Sequence, residues 1–331
     1  MNRVLVTPEA MRFPDGPYCQ LLREAGFDVQ FPRNPEMARG KLSEDQVIEE
    51  LRGFSAAIAG GETYSPRVIE SVPELRVIAR AGVGYDAVHV PTATAHRVAV
   101  TITPNSNHEC VAELTLTLML TLTKRILVND RTTRAGQWNR QPLGALRTKT
   151  HGIVGLGRIG RSLAKRSVAL GLKVIAFDAM PNEEVARSLN VTMVDFDTLL
   201  AQSDYVTLHC PLNEETRGLM NRETLAKMKP GSILVNMARG KLVVESDLLE
   251  ALQSGPLQAA GLDVFEQEPP DANNPLFKLD NVVVCPHMGG VDELSIVGMG
   301  MEAAQSIVDL QRGHWPAEQV VNQELRDGWT W

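Results

Sequence analysis

The chain has 331 residues, a formal net charge of −7, 44% hydrophobic residues and 22% charged residues. This length exceeds the roughly 250–300 residues at which one hydrophobic core stops growing, so it predicts two domains. The balanced composition excludes collagen-like, coiled-coil and disordered chains, and the negative charge argues against nucleic acid as the main partner.

The cysteines predict the compartment. No two of the four form a C-x-x-C pair, so they offer neither a zinc site nor a disulfide framework and favour a reducing environment. Pro8 precedes any apolar segment of signal-peptide length, and no apolar run reaches the roughly 18 residues of a membrane span. We therefore expect a soluble cytoplasmic protein with no metal site and no membrane partner.

Short apolar runs alternate with longer helical patterns along most of the chain. The runs are continuous, as expected for parallel strands buried on both faces, and helical patterns at 161–170 and 246–254 complete β-α-β units. The two series of units predict an α/β fold with two doubly wound parallel sheets. The predicted strands include residues 4–7, 56–59, 76–79 and 98–101, then 152–155, 173–178, 205–209, 233–236 and 282–285.

Two consecutive segments leave alternatives open. Residues 113–123 alternate largely in twos, which is typical of a strand, but their length is ordinary for a helix. Residues 124–149 carry five arginines, opposed only by Asp130. A nucleic-acid patch is one interpretation, whereas arginines that face solvent or another subunit suit an acidic chain better.

A G-x-G-x-x-G motif begins at Gly155, follows an apolar run and opens a helical pattern at Arg158. In this context Gly155 permits a tight turn, Gly157 lets the backbone approach a pyrophosphate, and Gly160 allows the helix to pack closely on the strand. The helix N-terminus would offer amide groups to the anion. The motif therefore predicts a dinucleotide site.

Asp178 ends the next predicted strand, 21 residues after Gly157. A carboxylate at this position accepts hydrogen bonds from the adenosine ribose hydroxyls and repels a 2′-phosphate. Residues 179–182 contain no arginine, so the sequence favours NAD over NADP.

Three charged residues follow apolar runs further along the chain: Arg239, Glu268 and His287. Each taken alone is more often a solvated or structural residue. Together, after a dinucleotide motif, they fit oxidation of a hydroxy acid, which needs a cation for the carboxylate and a group that moves a proton.

With these motifs in place, the chain resembles the D-isomer-specific 2-hydroxyacid dehydrogenases, which include D-3-phosphoglycerate dehydrogenase, hydroxypyruvate reductase and D-lactate dehydrogenase. The resemblance extends over nearly the whole chain. The segments that carry it are residues 80–86, 111–113, 155–160, 209–212, 236–240, 261–265 with 268–269, and 286–290.

The resemblance implies a cofactor domain, residues 105–290, inserted into a discontinuous substrate domain of residues 1–104 and 291–331, with the active site in the cleft. It implies that residues 113–123 belong to a long helix beginning near Glu109. It also implies that the basic stretch forms a dimerisation arm, so we expect a homodimer without nucleic acid.

The resemblance further implies catalytic roles. Arg239 would hold the substrate carboxylate, His287 would be the acid/base, and Glu268 would hydrogen-bond His287 and favour its charged form. The backbone of Gly82, Val83 and Gly84 would offer amides to the same carboxylate. The implied NAD contacts are Val83, Gly155, Gly157, Arg158, Ile159, Gly160, Asp178, Cys210, Met237, Ala238, Asp263 and Gly290.

The substrate is less narrowly defined, and both phosphoglycerate and hydroxypyruvate or glyoxylate fit the family. Residues 60–64 contain no cation that could bind a substrate phosphate. We expect Gly60 and Gly61 to leave room for a substrate and Glu62 to repel a second anionic group. Thr63 and Tyr64 would offer hydroxyls to the substrate. This favours small neutral keto acids. The alternative is a non-enzymatic, corepressor-like scaffold that senses NAD.

Overall fold

Parallel strands form both sheets of the protein. A computed structural model describes residues 2–331. The strands, numbered along the chain, are β1 (Arg3–Val6), β2 (Asp28–Gln30), β3 (Ala56–Ala59), β4 (Val77–Arg80), β5 (Ala99–Thr101), β6 (Thr150–Val154), β7 (Lys173–Phe177), β8 (Val191–Met193), β9 (Tyr205–Leu208), β10 (Ser232–Asn236), β11 (Leu257–Leu262) and β12 (Val282–Val284).

All the α-helices except α12, which follows the last strand, lie between strands along the chain, as β-α-β units require. They are α1 (Pro17–Glu24), α2 (Glu44–Leu51), α3 (Pro66–Glu70), α4 (Val90–Ala95), α5 (His108–Thr123), α6 (Ile126–Arg134), α7 (Arg158–Ala169), α8 (Glu183–Ser188), α9 (Phe196–Gln202), α10 (Arg222–Ala226), α11 (Glu245–Gln253) and α12 (Glu293–Gln311). No helix within residues 2–331 is both long and apolar enough to cross a membrane.

One compact unit comprises Met1–Asn107 and Gly290–Trp331. Its sheet has five parallel strands in the order β2-β1-β3-β4-β5. Successive strand residues face opposite sides, so Val4 and Val6 pack with α1 and α12 while Leu5 packs with α2 and α3. Both faces are therefore covered, which explains the continuous apolar runs in the sequence.

The second compact unit is His108–Gly289. Its seven parallel strands are ordered β12-β11-β10-β9-β6-β7-β8. The chain runs outward from β6 through β7 to β8, then returns to place β9 on the other side of β6. Strand order reverses at this point, and ligands of open α/β sheets bind beyond the carboxyl ends of the strands there.

The predicted α/β fold with two parallel sheets is confirmed. Three strands were not among those predicted. β2 and β8 are three-residue edge strands with the sequences DVQ and VTM, whose polar residues interrupt any continuous apolar run. β11 is central but contains Gln258, alanines and Gly261, which have low intrinsic strand preference; its pairing with β10 and β12 determines its conformation.

The alternating segment is helical, since α5 spans His108–Thr123. Three threonine hydroxyls donate to the carbonyl four residues earlier: Thr115 to Val111, Thr117 to Glu113 and Thr123 to Met119. Because the helix itself satisfies these hydroxyls, Thr115 and Thr123 can be buried while Thr117 is exposed, and the threonine spacing alone gave the strand-like pattern. The helix implied by the family resemblance is confirmed.

Candidate active site

The strands of the seven-stranded sheet end level with one another. Val154 is in register with both Phe177 and Leu208, Leu208 with Asn236, Asn236 with Leu262, and Leu262 with Val284. The residues that come next in sequence therefore share one edge. They include the predicted site residues Gly155, Asp178, Cys210, Met237, Ala238, Arg239, Asp263 and His287.

The turn after β6 requires its glycines. Gly155 has a φ of 97°, and a Cβ there would lie 2.8 Å from the Cys210 nitrogen. A Cβ at Gly160 would lie 2.1 Å from the Gly155 carbonyl oxygen, so helix and turn pack too closely for any side chain. At Gly157, by contrast, a Cβ would meet no atom within 4 Å among the described residues. The turn is thus tightly packed on its protein side and open at Gly157.

Helix α7 begins at this open face with Arg158 and Ile159. Its N-cap, Gly157, has no side chain to accept hydrogen bonds from the first helical turn. N–H groups at the positive end of a twelve-residue helix are consequently presented outward, which favours an anion such as a pyrophosphate.

Asp178 is fixed to the glycine turn at the end of β7. Its Oδ2 accepts from the Leu156 N–H at 2.7 Å, and its Oδ1 accepts from the Met180 N–H at 2.8 Å. These bonds orient the half-buried carboxylate, and each oxygen keeps capacity for another donor. The glycine turn, the uncapped helix and this carboxylate fit NAD.

Arg239 follows β10 in a turn held by Asn236. The buried Asn236 side chain donates to the Arg239 carbonyl at 2.8 Å and accepts from the Ala238 N–H at 3.1 Å. Next to it, a Cβ on Gly240 would lie 1.8 Å from the Phe265 carbonyl carbon. This close backbone packing places the Arg239 turn beside the segment that leads to Glu268.

Glu268 and His287 form a hydrogen-bonded pair. The His287 Nδ1 lies 2.6 Å from the Glu268 Oε2, and the other carboxylate oxygen accepts from the Phe265 N–H at 3.0 Å. Burial opposes ionisation of Glu268, but His287, the Phe265 N–H and the charge of Arg239 together hold the pKa of this carboxyl below its ordinary value.

The geometry leaves one imidazole nitrogen for chemistry. Because Nδ1 of His287 faces Glu268, Nε2 is the nitrogen available to exchange a proton with a substrate oxygen. The imidazole is 50% exposed and the Glu268 side chain 34%. A half-exposed imidazole oriented by a carboxylate can donate or accept a proton at a fixed position.

Asp263 anchors the loop that carries His287. The His287 N–H donates to the Asp263 carbonyl, and the Met288 and Gly289 N–H groups donate to its two carboxylate oxygens, each at 2.8 Å. Burial raises the pKa of Asp263, while the two N–H groups and the charge of His287 oppose that rise. The bonds hold His287 at a φ of 52°, in the left-handed region that non-glycine residues rarely adopt.

The sequence reasoning missed this anchoring role and assigned Asp263 only to NAD. One signal was available, because an acidic residue at the end of a buried strand must find donors nearby. Its partners lie 25 and 26 residues away, and only the paired strands β11 and β12 bring them within reach.

The segment Gly82–Val83–Gly84 follows β4 in the other unit. The Gly82 N–H donates to the Thr103 Oγ1 at 2.8 Å, so it is already taken, which corrects the expectation for Gly82. Within residues 2–331, the N–H groups of Val83 and Gly84 have no acceptor. Gly290 belongs to the same unit, where a Cβ would lie 2.9 Å from the Asn107 Nδ2.

The role predicted for residues 60–64 in substrate selection is wrong in its details. Glu62 is 1% exposed and accepts hydrogen bonds from Thr7 at 2.8 Å and from the Tyr64 hydroxyl at 2.9 Å. Tyr64 is itself buried, so neither side chain is presented to a ligand. A Cβ on Gly61 would lie 2.6 Å from the Ala38 carbonyl oxygen, so the missing side chain allows close backbone packing rather than making room for a substrate on that side.

A sequence model of the D-isomer specific 2-hydroxyacid dehydrogenase family, describing its NAD-binding domain, matches residues 116–289. This match covers more than half of the chain and includes the glycine turn, Asp178, Arg239, Glu268 and His287. The chain belongs to the D-isomer specific 2-hydroxyacid dehydrogenase family. The resemblance inferred from the sequence motifs is confirmed, and residues 116–289 correspond to the family's NAD-binding domain.

Individual members of this dehydrogenase family support the same placement. The chain is 40% identical to D-3-phosphoglycerate dehydrogenase of Archaeoglobus fulgidus, covering 91% of this chain and 56% of that protein. It is 38% identical to glyoxylate reductase of Thermococcus litoralis, covering 91% and 92% respectively. D-lactate dehydrogenase of Aquifex aeolicus, solved with NAD and lactic acid, has a TM-score of 0.81 at 26% identity, covering 96% of this chain and 98% of that chain.

The two kinds of relative differ in length. The chain spans 56% and 55% of the two archaeal phosphoglycerate dehydrogenases it matches, but nearly all of the Thermococcus litoralis glyoxylate reductase.

Proposed function

We propose that this protein is an NAD-dependent dehydrogenase that interconverts a D-2-hydroxy acid and the corresponding 2-keto acid. The observation that carries the proposal is the His287–Glu268 pair, 2.6 Å between Nδ1 and Oε2, at the same sheet edge as the glycine turn and Arg239. A general acid/base beside a dinucleotide site is what hydride transfer to a carbonyl requires.

The three charged residues have separate roles in this proposal. Arg239 binds the substrate carboxylate, since a planar guanidinium matches a carboxylate in a fork geometry. His287 donates a proton from Nε2 to the C2 carbonyl oxygen during reduction and accepts it back during oxidation. Glu268 stabilises the imidazolium, and its bond to the Phe265 N–H prevents it from turning away.

We assign the cofactor to the face built by the glycine turn. Gly155, Gly157 and Gly160 with the N–H groups at Arg158 and Ile159 hold the pyrophosphate, and Asp178 accepts from the ribose hydroxyls. When bound, NADH supplies the hydride that reduces C2. The remaining proposed NAD contacts come from both units. Cys210, Met237, Ala238 and Asp263 follow neighbouring strands of this unit, and Val83 and Gly290 belong to the other unit.

The substrate we propose is a small 2-keto acid such as glyoxylate or hydroxypyruvate. In the unit that contains Gly82, the Val83 and Gly84 amides are proposed to bind its carboxylate. Arg80, the cation nearest that turn in sequence, donates to the Gly60 and Gly84 carbonyls, and Arg12 of the same unit donates through one guanidinium nitrogen to the Pro35 carbonyl. Neither is therefore assigned to a substrate phosphate.

Kinetics with a panel of keto acids test the proposal. NADH oxidation should be measured with glyoxylate, hydroxypyruvate, pyruvate and phosphohydroxypyruvate, and we expect turnover of glyoxylate and hydroxypyruvate above phosphohydroxypyruvate. A higher kcat/KM for the phosphorylated acid would refute the substrate assignment. NADH binding without turnover of any acid would favour the NAD-sensing scaffold instead.

We also propose a homodimer, formed through α6 and the segment that follows it. This region exposes Ile126, Leu127, Leu143 and Trp138, the last 80% exposed. Clustered exposed apolar side chains on one segment mark protein interfaces, and a second copy also gives the neighbouring arginines a role. Light scattering should show twice the chain mass, and Trp138→Glu should lower it; a monomeric wild type would contradict the proposal.

All four cysteines are free thiols. Free thiols suit a reducing compartment, and we propose that the protein acts in the cytoplasm. Fractionation of cells that express it would test this.

A further inference from the structure

Thr103, just after β5, holds the turn that follows β4. Its Oγ1 accepts from the Gly82 N–H at 2.8 Å, and its own N–H donates to the Gly82 carbonyl at 3.0 Å. Thr103, a buried residue, thus binds both the backbone N–H and the backbone carbonyl of Gly82. Since Gly82 has a φ of 140° and no side chain to restrain it, these two bonds determine its orientation.

The turn is held at its far end as well. The Arg80 Nε donates to the Gly84 carbonyl at 3.1 Å, and the same guanidinium donates to the Gly60 carbonyl. Val83 therefore lies between two restrained glycines. The N–H groups of Val83 and Gly84, which have no acceptor within residues 2–331, are kept in a fixed direction.

We propose that Thr103 is a positioning residue for substrate binding. Its hydroxyl occupies the Gly82 N–H and sets the turn so that the next two amides are preorganised for the carboxylate of a 2-keto acid. Preorganised donors bind an anion without the cost of ordering a flexible loop. This inference rests on the proposed function, and Thr103 itself does not touch the substrate.

Thr101 provides a matched control two residues earlier. It is also fully buried, yet its Oγ1 has no hydrogen-bond partner within residues 2–331. Replacing either threonine by valine keeps the shape and removes one hydroxyl. Only the change at position 103 removes a hydrogen bond to the turn, so the pair separates the effect of that bond from the effect of altering a buried β-branched residue.

The experiment compares Thr103→Val, Thr103→Ser and Thr101→Val with the wild type. Removing one neutral hydrogen bond corresponds to roughly a three- to tenfold change in an equilibrium constant. We expect Thr103→Val to raise the KM for glyoxylate by about that factor, to raise the inhibition constant of the unreactive mimic oxamate equally, and to leave kcat and the Kd of NADH nearly unchanged. Thr103→Ser should restore both constants, and Thr101→Val should match the wild type.

Several results would overturn the inference. One is an unchanged KM and oxamate constant in Thr103→Val; another is a Thr103→Ser variant as impaired as the valine variant, which would implicate packing. A fall in kcat at constant KM would also overturn it. If Thr103→Val does not fold, Thr103→Cys keeps a small polar side chain with a weaker acceptor and must show the same KM effect.

The controls separate this inference from the proposed function. A wild type that binds NADH but reduces no 2-keto acid overturns the proposed function and the inference with it. A wild type that reduces glyoxylate, with Thr103→Val indistinguishable from it, overturns the inference alone.

Discussion

Replacing Glu268 by glutamine tests the coupling on which the mechanism depends. Glutamine keeps the size and an acceptor for the His287 Nδ1–H, so the hydrogen bond can persist, but the negative charge is removed. Without that charge the imidazolium loses its partner. During oxidation of the hydroxy acid the imidazole accepts a proton and becomes positively charged, so the variant should have a lower kcat for oxidation.

The expected size follows from the geometry. Nδ1 and Oε2 are 2.6 Å apart, which puts the charge centres at about 4 Å and their attraction at about 4 kcal/mol for an effective dielectric constant near 20. The imidazole is 50% exposed, so solvent screening reduces this attraction to about 1 kcal/mol. Since about 1.4 kcal/mol in an activation barrier equals a tenfold change in rate, we expect kcat to fall by about fivefold.

The assay is NAD reduction with glycolate as the hydroxy acid, for the wild type and Glu268→Gln. The Kd of NADH supplies the control, because Glu268 is not assigned to the cofactor and both proteins should bind NADH equally. An unchanged kcat for oxidation would show that the pair is not coupled as the structure indicates.

Three further outcomes are expected. His287→Ala should lower kcat by about 10²–10⁴ while fluorescence titration shows unchanged NADH affinity; a loss of NADH binding would contradict its role as the acid/base. The wild type should prefer NADH over NADPH in kcat/KM, and Asp178→Asn should narrow that preference, because an amide does not repel a 2′-phosphate; equal use of both cofactors by the wild type would contradict this. Burial lowers the pKa values of His151 and His209 to about 3, so the unfolded state binds more protons as the pH falls from about 6.5. Stability in urea should therefore decrease below that pH by up to about 1.4 kcal/mol per pH unit for each histidine, and His151→Gln should make the decrease shallower.

The features that depend on local order along the chain could be predicted from the amino-acid sequence. Continuous apolar runs predicted strands buried on both faces, because a parallel sheet covered by helices needs apolar residues at every strand position. The glycine spacing from Gly155 to Gly160 predicted the dinucleotide turn, because a turn this tight excludes Cβ atoms at defined positions. Arg239, Glu268 and His287 were identified together because they follow strand ends.

Which polar groups are available to a ligand and which are already hydrogen-bonded depends on contacts that form only in the folded chain. Glu62 was expected to face a substrate, yet its buried carboxylate accepts a hydrogen bond from the hydroxyl of Thr7, 55 residues earlier. Gly82 was expected to offer its N–H to a substrate, yet the hydroxyl of Thr103, 21 residues later, accepts that N–H. Asp263 holds the His287 loop through partners 25 and 26 residues ahead. Strand pairing brings these distant residues within hydrogen-bond reach, and no local pattern encodes which strands pair.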